Sequence, residues 1–162
     1  MSDISLSRSS EIIKNFLQDV GMSFEVKTLQ ESTRTADDAA KAIGCEVGQI
    51  CKSIIFKDNQ SNKPVLVLAS GINRINEKSI KDFVGEKILK ADADFTREVT
   101  GFAIGGIPPI AHRTKIEKVY IIDQDLKQYE SIWAAAGTPN SVFELNFESL
   151  VKMTGGVVVS IK

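Results

Sequence analysis

A chain of 162 residues, 43% hydrophobic and 25% charged, has the balance of one globular domain built on one core. Its net charge of -1 excludes a protein that coats nucleic acid through a broad basic surface, but not one that grips a short RNA end with a few local cations. No apolar run approaches the roughly 20 residues of a membrane helix, and Met1-Ser2-Asp3-Ile4-Ser5-Leu6 lacks the basic start and apolar core of a signal peptide. A cytoplasmic location with no membrane partner is therefore expected. Cys45 and Cys51 make no Cys-x-x-Cys pair, and with His112 they lack a recognisable ligand spacing. Neither a disulfide framework, a metal nor a cofactor is expected.

The first element is a helix over residues 9–20, because Ile12, Ile13, Phe16, Leu17 and Val20 recur at helical spacing and Gly21 can end it. Residues 24–29 alternate enough for a short strand. Thr35 then reads as an N-cap, with Asp37 and Asp38 in the first turn, where the helix dipole favours them. Ala36, Ala39, Ala40 and Ile43 give that helix a narrow stripe of small residues, suited to close packing. Gly44 stops it.

Cys51-Lys52-Ser53-Ile54-Ile55-Phe56-Lys57 is a strand by its β-branched and aromatic content. Strand parity puts Lys52 on the same face as Ile54 and Phe56. A lysine there is either at a wet strand end or held in a cleft. A polar turn over residues 57–64 leads to Val65-Leu66-Val67-Leu68-Ala69-Ser70, apolar on both faces and so a central strand. Asn76 caps a helix that carries Ile80, Phe83 and Val84 and ends at Gly85. Residues 87–90 suggest a short strand and residues 92–99 a short helix.

The stretch Gly101-Phe102-Ala103-Ile104-Gly105-Gly106-Ile107-Pro108-Pro109-Ile110-Ala111-His112 cannot be a helix or a central strand, since adjacent glycines precede adjacent prolines. It is a shaped loop whose bare amides suit a carbonyl or phosphate oxygen, or else an ordinary connection. Residues 118–123 form a strand ending on Asp123. Gly137-Thr138-Pro139-Asn140 turns a second hairpin, with Trp133 and Phe143 packing it. Asn146 caps a last helix, and Val157-Val158-Val159 closes the chain as a strand. Helices and hairpins mix without regular β-α-β alternation. The expected fold is a single α+β domain, residues 1–162, with a mixed, partly closed, barrel-like sheet and surrounding helices.

This order of pieces resembles the YbaK/ProX family of aminoacyl-tRNA deacylases, related to the editing domain inserted in bacterial prolyl-tRNA synthetases. The resemblance rests on Lys52 in its strand, Gly101, Gly105-Gly106-Ile107-Pro108-Pro109, the strand ending at Asp123, the Ala135-Ala136-Gly137 turn and the helix around Leu150. The lysine strand followed about 50 residues later by a Gly-x-x-x-Pro loop is its most specific part. Pro108 and Ala111 depart from the family pattern, in which a small polar residue and a glycine often stand there. Both positions bear on which amino acid is recognised.

The resemblance implies hydrolysis of the ester joining a wrong amino acid to the terminal ribose of tRNA, with tRNA for proline carrying a small wrong amino acid as the expected substrate. The implied partners are the acceptor end of aminoacyl-tRNA and, transiently, an aminoacyl-tRNA synthetase. An aminoacyl ester is already activated, so the chemistry needs placed water and a stabilised carbonyl oxygen more than a strong nucleophile. By resemblance, Lys52 anchors the terminal phosphate or ribose, amides of Gly105, Gly106 and Ile107 hold the oxygen, and the vicinal ribose hydroxyl or a substrate side chain helps activate the nucleophile. Gly101, Pro108, Pro109, His112 and Asp123 are the expected substrate contacts. For two of these other roles stay open: His112 as a general base or as a loop histidine bonded to a carbonyl, and Asp123 as a carboxylate bonded to the loop or a structural strand end. Asn73 and Arg74 reach RNA or form a solvated turn.

Two other classes compete. One is a non-catalytic module of the same fold that binds a tRNA end or a partner. The other is a cysteine hydrolase using Cys51 and His112, although Cys51 has the opposite strand parity to Lys52 and reads better as a small buried hydrophobe.

Overall fold

The structure is a computed structural model that describes residues 8–19, 26–29, 35–112 and 119–162. Helix α1 (Arg8–Asp19) buries Ile13 and Leu17. Residues 20 and 21, expected to end it, lie outside the described residues, as do residues 24, 25 and 118 of the expected strands. Strand β1 (Val26–Thr28) precedes α2 (Ala36–Ile43), which opens where the Thr35 hydroxyl accepts from the Asp38 N–H at 3.1 Å. Strands β2 (Ile50–Asp58) and β3 (Pro64–Ser70) form the first hairpin. Helix α3 (Glu77–Val84), strand β4 (Ile88–Lys90) and helix α4 (Ala93–Thr100) follow. After the glycine loop come β5 (Val119–Asp123), the hairpin β6 (Ile132–Ala135) and β7 (Ser141–Leu145), α5 (Phe147–Thr154) and β8 (Val157–Val159).

Helices this short do not hold on propensity alone. Side-chain oxygens of Asn76, Asp92 and Asn146 accept first-turn N–H groups of α3, α4 and α5, each cap being worth about 1 kcal/mol. Burial of one face against the sheet does the rest. Short 3₁₀ turns at Val47–Gln49 and Gln124–Gln128 were not signalled by any hydrophobic period.

The strands form one mixed sheet in the order β1-β7-β6-β2-β3-β5-β8, with β4 added on β2. The hairpins are antiparallel, whereas β2–β6, β3–β5 and β5–β8 are parallel. The expected α+β class holds, but the sheet is open. Its ends are β1 and β8, and no strand among the described residues joins them. Strand β3 is the centre, with Val65 to Ala69 wholly buried.

One face of the sheet packs Leu66, Leu68, Ile55, Ile122 and Phe143 against α1, α5 and the loop residues Phe102, Ile107 and Ile110. The other face carries two separate clusters. Ile80 of α3 covers Phe56, Val65, Val67 and Ile121, and Ala39 and Ala40 of α2 cover Ile50, Trp133 and Val142. Lys52 falls between these clusters, where neither helix covers the sheet. No helix among the described residues is long and apolar enough to cross a membrane.

Candidate functional site

Strand β2 has two different edges. Along one it pairs with β3 from Cys51 to Lys57. Along the other it pairs with β6 only at Ile50 and Cys51, and with β4 only at Phe56 to Asp58. Residues 52–54 thus border a gap where β6 has diverged and β4 has not begun. A cavity of about 250 Å³ opens at this gap. Thr35, Ala36 and Ala39 of the α2 start form one wall, and Ile104, Gly105 and Ile107 of the glycine loop form another. Residues Ile50 to Ile54, Trp133, Ala134, Ala135 and Val142 complete the lining. The Lys27 ammonium lies over the Trp133 ring, 5.3 Å from its centroid, so a second cation flanks this aromatic wall. A more open polar groove of about 440 Å³, lined by residues such as Lys127, Tyr129 and Glu130, holds none of the expected site residues.

The cavity brings Lys52, Gly105 and Ile107 together. Gly105 has φ 97°, a conformation that a side chain would strain. Among the described residues, the N–H groups of Gly105 and Ile107 have no intramolecular partner. Gly106 differs from the expectation. Its N–H donates to the Ala103 carbonyl at 3.0 Å and its carbonyl accepts from Gly137 at 2.9 Å. A Cβ there would meet the Thr138 backbone at 2.8 Å. Gly106 therefore docks the loop onto the second hairpin and does not offer a bare amide.

The remaining expected contacts lie off the cavity lining. Gly101 caps α4, its N–H donating to the Arg97 carbonyl at 2.8 Å. Pro108 and Pro109 are buried in the loop's exit. The Pro108 carbonyl accepts from His112 Nε2 at 2.7 Å, and the Tyr120 hydroxyl lies 2.9 Å from His112 Nδ1. A carbonyl can only accept, so Nε2 carries the hydrogen and Nδ1 accepts from Tyr120. Burial pushes the imidazole pKa down, which keeps this ring neutral. With both nitrogens engaged, His112 is a structural strut.

Asp123 is likewise structural. One carboxylate oxygen accepts from the Ser70 N–H at 3.0 Å and from Asn73 Nδ2 at 2.8 Å, and the other from the Asp125 N–H at 2.9 Å. Asn73 also donates to Asp125, so its side chain is spent inside the protein and does not face RNA. Burial, with the nearby Asp123 charge, pushes the Cys51 thiol up to about 12. Such a thiol stays protonated and unreactive at neutral pH. Together with the engaged His112, this removes the cysteine-hydrolase reading.

Thr35, Ser53, Ile104 and Trp133 line the cavity although no local pattern named them as site residues. Trp133 arrives through the parallel register Ile50–Trp133, a pairing of distant segments. Only knowledge of that register would have revealed it.

The family model of the aminoacyl-tRNA editing domain matches residues 30–153. The chain belongs to this family. A solved structure described as that of a candidate trans-editing enzyme for prolyl tRNA synthetase superposes with a TM-score of 0.91 at 40% identity, over 98% of this chain and 99% of that one. A proline–tRNA ligase of Limosilactobacillus fermentum is 31% identical over 105 residues, which is 62% of this chain and only 18% of the ligase. EbsC of Enterococcus faecalis, named as a candidate Cys-tRNA(Pro)/Cys-tRNA(Cys) deacylase, is 25% identical over 78% of this chain and 76% of its own length. The family match runs from the segment before α2 through α5, so it spans every wall of the cavity in this editing domain.

Proposed function

We propose that this chain is a cytoplasmic aminoacyl-tRNA deacylase, a single editing domain that hydrolyses mischarged tRNA. The observation that carries the reading is the meeting of Lys52 and Gly105 on one cavity at an uncovered strand edge. In the reaction, water adds to the acyl carbon and the ester C–O bond breaks. The ribose oxygen leaves with a proton, giving a free amino acid and an intact tRNA end. Lys52 meets the terminal phosphate or ribose as a point charge. The free N–H groups of Gly105 and Ile107 are the protein's candidates to hold the developing oxyanion.

Among the described residues, the cavity lining contains no aspartate, glutamate or histidine, and its thiol is protonated. The proton acceptor is therefore assigned to the substrate, through its vicinal ribose hydroxyl or amino acid, or to water. The small, largely apolar lining suits a short uncharged amino acid. The candidate relatives support tRNA for proline as the carrier and transient contact with a synthetase as the setting.

A panel of tRNA for proline charged with alanine, cysteine, serine or threonine tests this reading. Turnover of at least one ester, lost in Lys52→Ala, is expected. Binding of the panel without turnover would identify a non-catalytic tRNA-end module in its place.

A further inference from the structure

The backbone of β2 alternates in the direction of its polar groups. The Ile50 carbonyl accepts from Gly71 at 2.8 Å on the β3 side, and the Ile55 carbonyl accepts from Ala91 at 3.3 Å on the β4 side. Even-numbered residues thus bond to β3 and odd-numbered ones face outward. Outward-facing Ser53 falls in the gap, past the last β6 pair at Cys51 and before β4 begins. Among the described residues, no strand pairs with its outward N–H and C=O, no loop group bonds to them, and its Oγ is buried without a partner. Ser53 also lines the cavity beside Lys52. An unpaired donor and acceptor on one residue, facing a cavity, are a template for an extended ligand to pair with.

We propose that the aminoacyl group of the substrate docks on this edge as a one-residue strand, its α-ammonium donating to the Ser53 carbonyl and its acyl oxygen accepting from the Ser53 N–H. An amino acid esterified through its carboxyl keeps the N–Cα–C=O geometry of a peptide residue. Such a residue exchanges both bonds with an opposing one in an antiparallel pair. Among the described residues the lining offers no carboxylate to the ammonium, and the Ser53 carbonyl is an acceptor at hand. The same docking sets the Ser53 N–H on the oxygen where charge develops. This inference rests on the editing reading and adds how the amino acid end is recognised.

The test uses the native chain and tRNA carrying alanyl, cysteinyl, seryl or threonyl esters. Each is compared with its deamino counterpart: propionyl, 3-mercaptopropionyl, 3-hydroxypropionyl or 3-hydroxybutanoyl. Rates are divided by uncatalysed hydrolysis, because the ammonium itself activates the ester. For any amino acid cleaved, the enhancement is expected to fall about tenfold or more on removing the ammonium. Equal enhancement overturns the docking and leaves editing intact. Cleavage of none of the four overturns the editing reading, and the docking with it. In a second arm, Ser53→Pro removes the outward N–H without breaking a β3 bond. A folded Ser53→Pro variant, judged by circular dichroism, is expected to lose hydrolysis, and retained hydrolysis would refute the N–H contact. If that variant does not fold, the deamino comparison on the native chain decides.

Discussion

The Tyr120 hydroxyl donates to Nδ1 of His112 at 2.9 Å, and the opposite ring nitrogen donates to the Pro108 carbonyl at 2.7 Å. The two bonds brace the exit of the glycine loop against β5. Burial favours the neutral imidazole and lowers its pKa below the ordinary value of 6.5. The unfolded chain therefore takes up a proton before the folded one as pH falls. Stability contributed by this site is complete above about 6.5 and declines below it, until the folded pKa is reached. His112 is the chain's sole histidine, so few other side chains titrate in this window. The melting temperature is expected to fall between about pH 7.5 and about pH 5.5, and His112→Gln is expected to flatten that slope. An unchanged slope in the variant would place the titration elsewhere.

Lys52 borders the cavity half-buried, between the α2 and α3 clusters. No carboxylate among the described residues shares that lining, so the charge is available to a phosphate or ribose. Lys52→Ala is expected to reduce deacylation on the order of a hundredfold, as loss of a charge-assisted contact does. Its melting temperature should stay within a few degrees of the native chain. Full turnover in this variant would end the assigned role.

Much of this site was legible in the sequence, and the reasons differ by residue. Strand parity put Lys52 on the face with Ile54, and Thr35, Asn76 and Asn146 cap helices as their side chains dictate. These signals are local, spanning one turn or one strand. Trp133 and the Ser53 gap depend on where β6 leaves β2, a parallel pairing with no local signature. His112, with an ordinary pKa near neutrality, and Asp123 were each open to a substrate role or a structural one. Their partners, Tyr120, Ser70 and Asn73, come from separate segments and consume them. The mixed α+β sheet was legible, but how far it closes was not, since nothing in the periodicity of β1 or β8 says which neighbour each will take.

Gly106 was singled out for its amide, but its missing side chain is what the loop needs. A methyl group there would sit 2.8 Å from the Thr138 backbone, which cannot rotate away as a side chain would. Gly106→Ala is expected to destabilise the protein by about 1–3 kcal/mol in chemical denaturation. Gly105 belongs to the same loop, so deacylation should fall as the loop lifts from the hairpin. Wild-type stability in Gly106→Ala would mean that the hairpin turn yields easily and that the close approach is incidental.

Ser53 provides a final measurement that needs no substrate. Its hydroxyl is buried and has no partner among the described residues, a state that costs stability. Ser53→Ala removes that hydroxyl and leaves the peptide N–H and C=O in place. The expected gain is roughly 1 kcal/mol, or a few degrees in melting temperature for a domain of this size. A lower melting temperature would show that the hydroxyl is bonded in solution. The β2 edge would then be satisfied by the protein itself, with less of it left for an incoming amino acid.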